Sequence, residues 1–195
     1  MVSLKQISEL QALDKIFYDS KDLSVYLEVS GRTLENTIKK LLDENVLTSL
    51  EKGKYYVTSK KPNEFQIAQF LYNPSYISFE TALNYYGILP QFPQAVTSAT
   101  TKRARSKLVS GKEYSYSHIS KNYFTGYENR DGFLIATAEK ALIDQIYFSF
   151  KSLRSIDNLD EYDVSKIDKN KAKEYAELIE GSLGKRIVTF VNENV

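Results

Sequence analysis

Apolar residues recur at helical spacing three times within the first forty-four residues, and the pattern then switches to two short runs that favour strands. Leu4, Ile7, Leu10, Leu13 and Phe17 make one apolar stripe, with Ser3 placed to cap its start. A second, shorter helix follows Ser20, with Leu23, Tyr26 and Leu27 on its inner face. Val29-Ser30-Gly31 ends it, and Ser30 is positioned to cap the next. That third helix is expected over residues 31–44. Leu34, Ile38, Leu41 and Leu42 share one face, and Arg32, Asn36, Lys39 and Lys40, with Thr33 beside them, share the other. Val46-Leu47-Thr48-Ser49-Leu50 and Tyr55-Tyr56-Val57-Thr58 read as strands joined by the turn Glu51-Lys52-Gly53-Lys54. Three helices, a glycine-containing tight turn and a two-stranded hairpin spell a winged helix-turn-helix over residues 1–61.

Such a unit suits duplex DNA. A helix fits the major groove and brings its N-terminal side chains to base edges. Arg32 has the geometry for guanine and Asn36 for adenine, while Lys39, Lys40, Lys52 and Lys54 are expected on phosphates. Total charge does not carry this expectation. Residues 1–61 hold ten Lys or Arg against nine Asp or Glu, and the whole chain has a formal net charge of +1. The signal is the segregation of charge onto one helix face and the hairpin tip.

Lys60-Lys61-Pro62-Asn63 reads as a linker, so a second domain is expected over residues 62–195 and the chain as a whole reads as α+β, with a mixed α/β C-terminal domain. A short helix is expected over residues 64–72. Ser78 is set to cap another that Gly87 closes. Ala95-Val96-Thr97-Ser98-Ala99-Thr100 suggests a strand, and residues 107–109 and 114–119 flank Ser110-Gly111 as a hairpin. Residues 127–130 and 132–136 suggest a second hairpin. Thr137 begins a strong helix with Ala138, Ala141, Leu142, Ile146 and Tyr147 facing the core, and Lys140 and Asp144, four apart, are expected to pair on its surface. One further helix is expected over residues 169–183, and the run Ile187-Val188-Thr189-Phe190-Val191 fits strand or helix. From Thr81 to Lys112 there is no carboxylate, yet Lys102, Arg103, Arg105, Lys107 and Lys112 fall there, which makes a one-sign patch suited to DNA, RNA or an acidic protein.

Catalytic patterns are missing from the sequence. Cysteine is absent, which removes disulfides, thiolate metal sites and cysteine nucleophiles. The single histidine, His118, lies in a strand-like alternation with no partner pattern and reads as structural. There is no Gly-x-Ser-x-Gly elbow, no His-Glu-x-x-His pair and no phosphate-binding Gly-Lys loop. Asp19-Ser20-Lys21 has a nuclease-like spacing but falls at a helix junction. No enzyme, cofactor or metal is therefore expected. No signal-peptide core or membrane-length apolar run occurs, so a cytoplasmic protein is expected.

Blocks of the second half resemble a known family. Ser75-Tyr76-Ile77-Ser78-Phe79-Glu80-Thr81-Ala82-Leu83, Tyr86-Gly87-Ile88-Leu89-Pro90, Thr97-Ser98-Ala99-Thr100-Thr101-Lys102-Arg103 and Tyr114-Ser115-Tyr116-Ser117-His118-Ile119 resemble the second domain of AbiEi-type antitoxins of abortive-infection systems. So does Ile135-Ala136-Thr137-Ala138-Glu139-Lys140-Ala141-Leu142-Ile143-Asp144, where the family commonly has proline in place of Ala138. The resemblance implies a type IV antitoxin. Its first domain would repress its own operon by binding inverted repeats in promoter DNA. Its second would oppose a nucleotidyltransferase toxin without a stable complex. The alternative left open by the residues is a ligand-responsive transcription regulator of the same two-part build.

Overall fold

The computed structural model describes residues 4–151 and 161–195, and the chain divides into two compact units that meet between Leu71 and Tyr72. The Ser3 cap lies outside the described residues. In the first unit, α1 (Leu4–Ala12), α2 (Ser20–Leu27) and α3 (Gly31–Asp43) accompany a three-stranded antiparallel sheet. Its order is β1 (Phe17–Asp19), β3 (Lys54–Val57), β2 (Leu47–Glu51). The core is built from Leu10, Tyr18, Leu23, Leu27, Ile38, Leu41, Val46, Leu47, Tyr55 and Val57. Those residues come from all three helices and all three strands, so none of these elements is a separate appendage.

Phe17 departs from its expected place. The helical stripe ends at Ala12, Leu13 is 42% exposed, and Phe17 is the first residue of β1, opposite Tyr56. The reason is tertiary. Tyr18, 2% exposed, needs the period-two alternation of a strand to reach the core, and Phe17 stacks on Phe70 with ring centroids 4.7 Å apart. Phe70 belongs to α4 (Glu64–Leu71), which carries the first unit to Leu71, past the boundary expected after residue 61.

The second unit is organised on a six-stranded mixed sheet ordered β6-β7-β5-β4-β9-β8, with β4 (Ser75–Ile77), β5 (Ala95–Thr100), β6 (Arg105–Val109), β7 (Lys112–His118), β8 (Tyr127–Arg130) and β9 (Phe133–Ala136). β5 runs parallel to β7 and β4 parallel to β9, while β4–β5, β6–β7 and β8–β9 are antiparallel. Every residue of β4 is buried, as are all but the first of β5. That is the mark of central strands covered on both faces. Among the described residues, four α-helices accompany the sheet: α5 (Phe79–Tyr85), α6 (Ala138–Phe150), α7 (Lys169–Glu177) and α8 (Gly181–Asn194). The expected single helix over residues 169–183 is two helices. The chain turns at Glu180 and re-enters a helix at Gly181, whose φ is +80°. Ile187 and Val191 are buried on α8, which resolves the last apolar run as helix.

Candidate functional site

The polar face of α3 is the most distinctive surface of the first unit. Ile38 and Leu41 are buried and Leu34 and Leu42 pack against the same core, so the opposite face must look outward. Arg32, Thr33, Asn36, Lys39 and Lys40 all lie exposed there. The start of α3 is held differently from the sequence expectation. Ser30 occupies the cap position, but its side chain makes no capping hydrogen bond. The helix before it is the firmly capped one. Asp19 accepts from the Asp22 backbone N–H at 2.7 Å, and Asp22 accepts from the Asp19 N–H at 3.1 Å, a reciprocal capping box. This accounts for Asp19-Ser20-Lys21 as a helix entry. Burial raises the Asp22 pKa, but hydrogen bonding and attraction to Lys15, at 2.8 Å, prevail and hold the carboxyl below its ordinary range.

The β2–β3 hairpin separates its two lysines. Lys52 is exposed at the tip and lines, with Lys39, Glu35 and Gly31, an open groove between the hairpin and α3. Lys54 is not available as expected. Its ammonium donates to the Phe70 carbonyl at 3.1 Å and to the Leu71 carbonyl, pairs with Glu51 at 3.3 Å, and stands 5.4 Å from the Phe70 ring centre. A cation on the last carbonyls of α4 satisfies groups that the helix itself leaves open. Lys54 therefore ties the hairpin to α4. On α3, Lys40 pairs with Glu44 across 3.6 Å, an exposed contact of little energetic weight that leaves the ammonium at the surface.

In the second unit, the pair expected on the surface of α6 is in the core. Lys140 and Asp144 are 3% and 4% exposed and bonded directly to each other. Asp144 Oδ2 also accepts from the Tyr76 hydroxyl at 2.9 Å and the Ser78 hydroxyl at 2.7 Å, and Lys140 Nζ donates to the Tyr76 oxygen at 3.0 Å. Ser78 therefore points its hydroxyl at Asp144 instead of capping α5. Burial, with the Asp144 charge behind it, pushes the Tyr76 phenol well above its ordinary value. Tyr76 stacks on Tyr127 at 4.9 Å, and Thr137 caps α6 by accepting from the Lys140 N–H. Gly126 closes the site. A Cβ there would stand 2.6 Å from a ring carbon of Tyr175 and 3.0 Å from Cγ of Lys140, and its φ of +72° already disfavours other residues. The void beside Lys140 and Asp144, walled by Ile119, Tyr123, Ile143 and Tyr147, is about 10 Å³. That admits about one water molecule.

The acid-free stretch folds into a genuine cluster. Lys102 Nζ, the Arg105 guanidinium and Lys107 Nζ lie 5.4, 5.7 and 5.9 Å from the centre of the Tyr72 ring, and the Tyr72 hydroxyl donates to the Arg103 carbonyl at 2.9 Å. Lys112 stands apart from this group, at the turn end of the β6–β7 hairpin opposite Val109. His118 is exposed, and its Nδ1 sits 2.9 Å from the Lys102 carbonyl, which fits a structural histidine fastening the stretch to β7. Among the described residues no group of three His, Asp or Glu side chains is placed to hold a metal ion, and no helix is long and apolar enough to cross a membrane. No protein-family model and no curated protein matches this sequence.

Proposed function

We propose that the first unit is a winged helix-turn-helix that binds promoter DNA, with α3 in the major groove and the β2–β3 hairpin as the wing. The observation that carries this reading is the exposed face of α3 together with Lys39 and Lys52 lining one groove. Arg32, Thr33 and Asn36 lie in the first turns of α3, where a helix entering the major groove meets base edges. Lys39, Lys40 and Lys52 neutralise phosphates. Three such contacts per protomer give a salt slope of about −2.7 in log affinity against log salt. Lys54 takes no part, because α4 holds it.

The chain as a whole is read as an antitoxin that represses its own operon, in keeping with the AbiEi-like blocks of the second half. Its cognate toxin is a nucleotidyltransferase opposed without a lasting complex. Two experiments test the proposal. Mobility-shift titration of DNA upstream of the coding sequence tests repression; failure to retard it at moderate salt would refute that half. Expression of the chain from an unrelated promoter alongside the neighbouring toxin tests antitoxicity. Restored growth supports it, and unrelieved toxicity overturns it.

A further inference from the structure

The β6 edge of the second unit's sheet is remote in sequence from the α3 face and stands apart from the DNA reading. Among the described residues β6 is the terminal strand of the sheet. The β6–β7 hairpin turns through Ser110 and Gly111, both at positive φ (49° and 79°), so the two-residue turn is of the primed type. Val109 and Lys112 then form the hydrogen-bonded closing pair, and Lys107–Tyr114 and Arg105–Tyr116 follow as hydrogen-bonded pairs. By alternation, the backbone N–H and C=O of Ser106 and Leu108 point away from β7, along the open edge. Side chains alternate as well. Arg105 and Lys107 stand on one face, beside Tyr72, and Ser106 and Leu108 on the other. Leu108 is 76% exposed, an apolar residue on the face of the strand opposite the cations.

We infer that this edge receives an extended acidic polypeptide strand, added antiparallel to β6, with carboxylates facing Arg105 and Lys107 and an apolar residue facing Leu108. Three observations favour that occupant. Unsatisfied edge groups recognise backbone, which a nucleic acid does not offer. The exposed leucine gains from an apolar neighbour and nothing from a phosphate chain. A second copy of β6 is disfavoured, because edge-to-edge pairing would set cations of the two strands against each other. The partner carries acids at every second position with apolar residues between.

The test uses the full chain and a fluorescein-labelled decapeptide of alternating Glu and Val, read by anisotropy. The peptide is expected to bind, and its Lys-Val counterpart is not. In antiparallel addition the residues opposite Leu108 bond to the edge, so N-methylation of the Val amides is expected to weaken binding at least about tenfold, whereas N-methylation of the Glu amides leaves it unchanged. Arg105→Glu with Lys107→Glu is expected to weaken it by about tenfold or more. Val-amide methylation without effect overturns the proposal, since it touches only the peptide and cannot be blamed on misfolding. So does equal binding by the charge-reversed variant, or capture of a labelled single-stranded RNA or duplex DNA by Arg105 and Lys107 while the acidic peptide stays free.

Discussion

Replacing Lys140 by Met should strip the cation from a site that still holds a carboxylate. Both side chains are almost wholly buried, and Asp144 is then left with the Tyr76 and Ser78 hydroxyls alone. Breaking one side of such a pair costs about 3–5 kcal/mol. For a unit the size of Tyr72–Val195, each kcal/mol lowers Tm by roughly 3–6 °C, so the melting of the second unit is expected to fall by about 10–30 °C. Asp144→Asn strands the ammonium instead and is expected to cost about 3 kcal/mol. The double variant Lys140→Met with Asp144→Asn removes both charges and keeps a carbonyl to accept from Tyr76 and Ser78. Its loss should be smaller than the sum of the singles by about 2 kcal/mol or more. Urea unfolding of the four proteins, read by tyrosine fluorescence and far-ultraviolet circular dichroism, closes the cycle. Additive losses, or a Lys140→Met cost below about 1 kcal/mol, would refute the reasoning that these residues stabilise the core as a charge pair.

Other consequences follow from the same contacts. Lys52→Ala is expected to weaken binding to all DNA sequences alike and reduce the salt slope by about 1, whereas Lys54→Ala, which releases the end of α4, should lower the stability of the first unit by about 1 kcal/mol and leave the slope intact. Thr137→Ala removes the cap of α6 and is expected to cost about 1 kcal/mol, most of it recovered by Thr137→Ser. The Tyr86 hydroxyl donates to the Ala136 carbonyl at 3.0 Å; burial, with Glu128 next, pushes its pKa from 10.0 to about 12. A phenol that holds its proton more tightly when folded contributes fully below pH 10 and loses that contribution as pH rises towards 12. Melting temperature measured across that window should therefore fall less steeply in Tyr86→Phe than in the parent chain.

The first unit was largely legible from spacing alone, because three of its helices and one hairpin are local patterns. Ile38 and Leu41 on one face of α3 leave Arg32, Asn36 and Lys39 no place but the other. What escaped was non-local. Phe17 looks helical beside Leu13, and only its pairing with Tyr56 and stacking on Phe70, both far along the chain, make it a strand residue. Lys54 reads as a hairpin-tip cation until the end of α4 is known to lie against it. The buried pair of α6 shows the same limit most clearly. Lys140 and Asp144 are four apart, the spacing of an exposed surface pair, and their burial comes from Tyr76, Ser78 and Gly126, contributed by separate segments. The signal that was available lay in Tyr76 and Ser78 falling within one family-like block and Lys140 and Asp144 within another. β4 was missed because three residues are too few to display alternation, and its uniform burial erases the pattern.

Whether α3 reads duplex DNA is decided by a competition titration of the full chain. DNA from upstream of the coding sequence is titrated against a scrambled duplex at fixed salt, with the parent chain and with Arg32→Ala combined with Asn36→Ala. The parent is expected to prefer the upstream DNA and to protect a repeated element within it. The double variant is expected to lose that preference while keeping the weaker binding through Lys39, Lys40 and Lys52. A parent chain that binds both duplexes equally, or a variant that discriminates as well as the parent, would contradict it.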